Sequence, residues 1–362
     1  MSAAAELVSI RLAFLVLAAV SLLWAPGHIA MHAYGALGSL LFGVFAQWDA
    51  GWFIRIAKHG YDIKQSAAFF PLYPLAVRAL AFLLRSHLAA GVVISLVSAA
   101  WAATILRRLA RSRDAVVLIA LYPIAYVFTA VYSDALFLLL AIAAFDAARR
   151  GSSLAAGVLG GLAVATRLLG LALLPALAWL LWRRGRRALA PLLLLPAALG
   201  AYMLYLQEHF HDAFAFATAE HDVWLRHTPA LGPLQGLWDA VHAGEQGLAQ
   251  LVLHLPEAGY GKPEQWAVWN LTNLVLLVIA AVLTWVAWQR LGAAYGLYSA
   301  ATLVIALSSP AAVVPLVSLP RFLLADFPLF IVLAPYRRAL APPFAALGAA
   351  AAIAFAHGIW VS

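Results

Sequence analysis

The stretch LAAGVVISLVSAAWAATILRRLARSR, residues 88–113, is nineteen apolar or small uncharged residues followed by four arginines within seven positions. A membrane-spanning helix needs ~20 mostly apolar residues, so 88–106 is long enough to cross and the arginines mark its exit. Working outward, the same pattern recurs along the chain. Hydrophobic residues make up 65% of the 362 and charged residues 10%, with a mean hydropathy of +0.92. Soluble domains carry roughly 25% charged residues, so this chain could not cover a water-facing surface. Lipid offers no partner to a free backbone group. The Leu/Ala-rich runs lack strict alternation, which makes them helices rather than barrel strands. The expected fold class is all-α, a polytopic transmembrane helical bundle of about 11 spans, within a range of roughly 10–12.

Lys and Arg number 23 against 15 Asp and Glu, a net charge of +8. The excess falls in short loops between apolar runs, as topology control requires, and does not point to nucleic acid. Basic clusters stand at Arg107, Arg108, Arg111 and Arg113; at Arg149 and Arg150; at Arg183, Arg184, Arg186 and Arg187; at Arg290; and at Arg337 and Arg338. Each neighbouring pair is separated by room for two spans, so all five can face the cytoplasm. Spans are expected at 7–25, 88–106, 115–131, 133–148, 153–168, 169–182, 188–206, 266–288, 293–309, 322–335 and 340–358. The first run could be a cleaved leader, but Arg11 inside it argues for a retained span.

Parity then turns five segments to the opposite face: the loop 26–87, the turn at Tyr132–Asp134, the turn near Arg167, the loop 207–265 and the segment around Arg321. Of the 15 acidic residues, 11 lie there. The chain divides into a first module, 1–206, a second large loop, 207–265, and C-terminal helices, 266–362. Residues 69–85 fit either a further span or a helix lying in the interface; Pro71, Pro74 and Arg78 suit the latter. Cysteine is absent, so disulfide and thiolate chemistry are excluded.

The first outward loop contains QWDAGWFIRIAKHGYD, residues 47–62. Asp49 lies between Trp48 and Trp52, and a carboxylate partly desolvated by indoles at an interface suits a general base. The same residues fit a capping Asp with two belt tryptophans. Arg55, Lys58 and His59 add positive charge that could meet a phosphate or lipid headgroups. Asp134, after Tyr132 and Ser133, is either a site residue or a helix cap. Arg167 and Arg321 each interrupt apolar sequence, where a guanidinium should face a cavity or an anion or else snorkel to the interface. Asp326 could pair with Arg321. His209, His211 and Asp212 could bind a metal, but no spacing such as HExxH supports that, and solvated histidine is the simpler reading. No metal or cofactor is expected. Asp49, Asp134, Arg167 and Arg321 are far apart in sequence yet share one face. Carboxylate and guanidinium together at a lipid edge suit a substrate with a lipid tail, a phosphate and a hydroxyl.

These strings resemble a known family. WDAGWFIRIAKHGYD with AFFPLYPLAVR, and then YSDALFLLLA, ATRLLGLALLP and LPRFLLADFPLFIVLA, are similar in order to blocks of the PIG-V-like mannosyltransferases. That family comprises the second mannosyltransferases of GPI-anchor synthesis and their bacterial relatives. The resemblance covers about residues 47 to 335. It implies a class C glycosyltransferase fold, a polyprenyl-phosphate-mannose donor, and Asp49 as the base in a metal-independent, inverting transfer on the non-cytoplasmic face. It further implies Arg167, Arg321, Arg55 and Lys58 as donor-phosphate contacts, and Trp48, Trp52, His59, Tyr61, Tyr73 and Asp134 as substrate contacts. A lipid-linked, glycan or protein acceptor and membrane lipids would be the partners. Asp134 stands where the eukaryotic pattern has Glu, and the chain is compact. Both points fit a bacterial relative in the inner membrane, with its active site toward the periplasm. Two other readings are a secondary transporter, which would place ionisable groups at the bilayer midplane, and an inactive membrane partner.

Overall fold

A computed structural model of the chain describes residues 2–24, 43–253 and 264–361. Among these residues the architecture is helical from end to end, with a lone β-bridge between Arg226 and Ala311. The opening of the first outward loop, with His28 and His32, lies outside the described residues, as does the segment around His254.

Among the described residues, five helical runs are long and apolar enough to cross a membrane: Ala3–Trp24, His87–Ala110, Arg186–Phe210, Glu264–Leu291 and Phe327–Ala356. Four further apolar helices are shorter: Leu72–Leu84, Ser153–Thr166, Leu168–Trp182 and Ala293–Leu307. Eleven spans were expected, and the chain breaks several of the remaining ones. The run 115–131 ends its α-helix at Leu121, because Pro123 supplies no N–H and disfavours the helical state at Tyr122. The run 153–182 is broken at Arg167, whose backbone is extended. Phe327–Ala356 folds back near Arg337, since Phe330 and Phe344 both meet the Tyr122 ring, at 5.4 and 5.7 Å. A straight helix would separate those two residues by about 21 Å along its axis.

The arginine clusters do gather at one end. Arg113 pairs with Glu6 (2.6 Å), Arg108 and Arg150 with Asp146 (2.6 and 3.0 Å), and Arg337 with Asp114 (3.4 Å). Arg149 donates to the Tyr295 hydroxyl (2.8 Å), just beyond Arg290, and the Arg184 guanidinium lies against Gly151. Asp134–Arg150 acts as the ruler of the bundle. It has 17 residues, about 25 Å, with Asp134 at one end and the basic cluster at the other. Leu72–Leu84, with 13 residues, is about 20 Å long and too short for a hydrocarbon core of roughly 30 Å.

Glycine lets two helices approach closely between the basic end of the bundle and Arg167. Gly157 and Gly161, one turn apart on Ser153–Thr166, face Pro191 and Leu194; a Cβ on Gly157 would lie 2.2 Å from the Pro191 carbonyl oxygen. Small residues at this spacing permit backbone contact between membrane helices. Gly157→Ala should therefore push the helices apart and destabilise the protein by about 1–3 kcal/mol, read as a fall in the melting temperature of the solubilised protein. An unchanged melting temperature would show that this contact is slack.

Candidate active site

Asp49 opens the helix Asp49–His59, where the positive end of the helix dipole favours a carboxylate. The residue before it, Trp48, has φ +57° and ψ −117°, a sparsely populated conformation that costs a non-glycine residue about 1–3 kcal/mol. That turn sets Asp49 toward the interior while the Trp48 side chain stays 48% exposed. Asp134 opens Asp134–Arg150, Arg167 ends Ser153–Thr166, and Arg321 sits in the first turn of Leu319–Ala325, held there by Pro320.

The fold brings these four residues together. Arg321 donates to Asp49 (Nη1 to Oδ2, 2.7 Å) and to Asp134 (Nη2 to Oδ2, 2.9 Å), and Arg167 also donates to Asp134. The Arg321 guanidinium lies over the Tyr132 ring, 4.9 Å from its centroid, adding a cation–π contact. Two carboxylates against two guanidiniums leave the cluster neutral, as a site this deep requires. The carboxylates are not equivalent. The Asp134 side chain is 4% exposed and Asp49 19%, and Asp49 lines a cavity of about 400 Å³ while Asp134 sits behind the arginines. A substrate can reach Asp49; Asp134 holds the arginines in place.

The cavity wall also includes Arg167, Arg321, Phe53, Phe69, Phe216 and Trp224. The second large loop closes one side of it. Arg226 pairs with Glu220 (3.0 Å) and donates to the Ser309 carbonyl (2.7 Å) and the Ser318 hydroxyl (2.9 Å). The backbone secures the same clasp: His227 N–H donates to the Pro310 carbonyl, and Ala312 N–H to that of Leu225. Glu220, Trp224 and Arg226 were missed in the sequence reading. The signal available was a Glu, a Trp and an Arg within AEHDVWLRH in the loop 207–265.

The Glu220 carboxylate is deep in the cavity yet reachable by water, with its side chain 38% exposed. Burial raises its carboxyl above the usual range, and Arg226 partly offsets that. A carboxyl raised in the folded state weakens the fold as pH climbs from the ordinary carboxylate range through the raised value. Glu220→Gln escapes that loss. Its melting temperature relative to wild type should rise as pH climbs above the ordinary carboxylate range; a difference independent of pH would contradict this placement.

Several residues singled out from sequence stand apart from the cavity. Arg55 is held by Asp62, with bonds of 2.9, 3.2 and 2.9 Å, and keeps the Asp62 carboxyl below its usual range. Lys58 and His59 are exposed at the far end of their helix. Trp52 stacks on Phe69 (5.8 Å). Tyr61 is buried and donates to the Phe69 carbonyl (2.6 Å). Tyr73 is wholly buried and bonds Ser95 (3.0 Å), which donates to the Tyr132 carbonyl (3.2 Å). Both tyrosines support the aromatic floor from behind. Asp326 is fully buried and accepts from Ser299 (2.6 Å), not from Arg321. His209 bonds the Tyr61 carbonyl (2.6 Å) and Asp212 pairs with Lys64 (2.9 Å). Among the described residues no group of three His, Cys, Asp or Glu is placed to hold a metal ion.

Helices, charge asymmetry and site together define a polytopic all-α membrane protein with a carboxylate–guanidinium centre at the end of the bundle away from its basic loops. Residues 15–190 match the family described as Mannosyltransferase (PIG-V), so the chain is similar to that family over the segment that holds Asp49, Asp134 and Arg167. Similar curated proteins are named GPI alpha-1,6-mannosyltransferase 2. The one from Cricetulus griseus is 36% identical over 149 residues, covering 36% of this chain and 30% of that protein. The one from Rattus norvegicus is 32% identical over 192 residues, covering 45% and 39%. The one from Mus musculus is 35% identical over 149 residues, covering 36% and 30%. The match thus spans well under half the length of these relatives. No solved structure matches the chain.

Proposed function

We propose that this protein transfers mannose from a polyprenyl-phosphate-mannose donor to an acceptor hydroxyl on the non-cytoplasmic face of the membrane. The observation that carries the reading is the position of Asp49. It is the open carboxylate of a buried cluster, in a cavity wall beside two arginines that a second carboxylate holds from behind. Similarity to mannosyltransferases supplies the sugar.

In this mechanism the donor phosphate enters against Arg321 and Arg167, whose planar donor forks suit phosphate oxygens. Arg321 then exchanges its bond to Asp49 for one to the phosphate, which frees Asp49 to take the acceptor proton. The acceptor oxygen forms its bond to the anomeric carbon as the bond from that carbon to the phosphate oxygen breaks. Polyprenyl phosphate leaves with its charge spread over the arginines. One displacement inverts the anomeric configuration. The aromatic walls restrict the water that reaches the donor, so its hydrolysis without acceptor is slow.

Incomplete exclusion gives the test. Purified protein given polyprenyl-phosphate-[3H]mannose without acceptor should slowly release free mannose, and Asp49→Asn should not. Release no faster than the protein-free control would contradict a transferase and favour a transporter or an inactive membrane partner.

A further inference from the structure

The cations that the cavity does not use form a group of their own. Lys58 and His59 project from the last turn of Asp49–His59, and the Arg78 guanidinium reaches that turn, donating to the Lys58 carbonyl (3.3 Å). His87, the first residue of His87–Ala110, is half-buried beside them, and the charged groups that bear on its ring are Lys58, Arg78 and His59, all basic. The carboxylate nearest in sequence, Asp62, also bears on His59, but it is already held by Arg55. These cations lie at the Asp49 end of the bundle, because the helix that begins with His87 ends at Arg107 and Arg108 among the basic loops. Topology control places basic residues at the opposite end, so this group needs another explanation.

The helix that carries Arg78 supplies one. On Leu72–Leu84, Tyr73, Val77 and Ala81 are buried, whereas Leu75, Arg78, Ala79, Phe82 and Leu83 are exposed, at the spacing of one helical face. Leu75 is 56% exposed, Leu83 73% and Phe82 85%. This helix is too short to span, and it runs back alongside His87–Ala110, because the Tyr73 hydroxyl reaches Gly91 and Ser95 (3.1 and 3.0 Å); its outer face, apolar but for one arginine, is therefore turned to lipid, where the long arginine side chain can carry its charge toward the headgroups.

We propose that Lys58, His59, Arg78 and His87 bind the phosphate of an anionic phospholipid, whose acyl chains lie along Leu75, Phe82 and Leu83. The site is a lipid seat beside the catalytic cavity and separate from it, and it stands whether or not the mannose reading holds. The lipid fixes the far end of the helix that begins with Asp49.

The test is native mass spectrometry of the full chain, solubilised in mild detergent with equal phosphatidylglycerol and phosphatidylcholine. Wild type should retain phosphatidylglycerol by about tenfold over phosphatidylcholine, and the double variant Lys58→Gln, Arg78→Gln should lose that preference. Lys58→Gln alone, whose side chain makes no bond that the fold depends on, should fall between them. Millimolar inorganic phosphate should leave the lipid in place, because the apolar face holds its chains. Equal retention of both lipids by wild type, an undiminished preference in both variants, displacement by inorganic phosphate, or retention of polyprenyl phosphate alone would each overturn the proposal.

Discussion

Asp49→Asn should reduce mannose transfer by about 10²–10⁴-fold, the range a positioned general base supplies, while the protein folds and binds donor. Asparagine keeps the shape of the side chain, and its carbonyl oxygen can still accept from Arg321, which now meets Asp49 at 2.7 Å. What it loses is the capacity to take a proton. The substitution also leaves Arg167 and Arg321 facing only the Asp134 charge. The centre then carries one net positive charge, so donor phosphate should bind at least as tightly as in wild type. A structural role for Asp49 predicts a different pattern, with activity, melting temperature and donor affinity falling together. Single-turnover transfer and donor titration on the same preparation separate the two. Transfer within a few-fold of wild type would remove Asp49 from the chemistry.

Arg321→Met should be the most destabilising single change in the site. It strips a partner from Asp49 and from Asp134, which is 4% exposed. Breaking a buried ion pair by removing one member typically costs about 3–5 kcal/mol, because the remaining charge stays in place without compensation. The expected outcome is a large drop in melting temperature together with loss of donor binding. Arg321→Lys keeps the charge, but one ammonium cannot reproduce a fork that bonds two carboxylates and lies over the Tyr132 ring. It should recover part of the stability and little of the transfer. Full activity in Arg321→Lys would show that the charge alone is needed, and normal stability in Arg321→Met would contradict the four-residue cluster.

Much of this arrangement was legible in the sequence, for physical reasons. Charge scarcity and ~20-residue apolar runs leave lipid as the only solvent. The arginine clusters divide the loops between two ends, and the pairs Arg113–Glu6 and Arg337–Asp114 join them as that division requires. Asp49, Asp134, Arg167 and Arg321 could be placed on one face by parity alone. Span boundaries were less legible, because backbone decides them. Pro123 and the extended Arg167 break apolar sequence that hydropathy reads as continuous.

Within the site, parity could not separate Asp49 from Asp134, since it puts both carboxylates on the same face; only packing sets one in the cavity and the other behind it. Arg55 looked available for phosphate because its partner, Asp62, lies seven residues away across a turn. Tyr61 and Tyr73 were expected as substrate contacts only through the family resemblance, and each donates its hydroxyl to a backbone carbonyl, of Phe69 and of Gly91. The contribution of the second loop was hidden because Glu220 and Arg226 reach the site only through contacts with Ser309 and Ser318, which are distant in sequence.

The most direct measurement is a structure of the protein with a non-hydrolysable polyprenyl-phosphate-mannose analogue. The account predicts the phosphate against Arg167 and Arg321, Asp49 released from Arg321 and facing the anomeric carbon, and Asp134 still holding both arginines. A phosphate bound elsewhere, with Asp49 and Arg321 still joined, would contradict it.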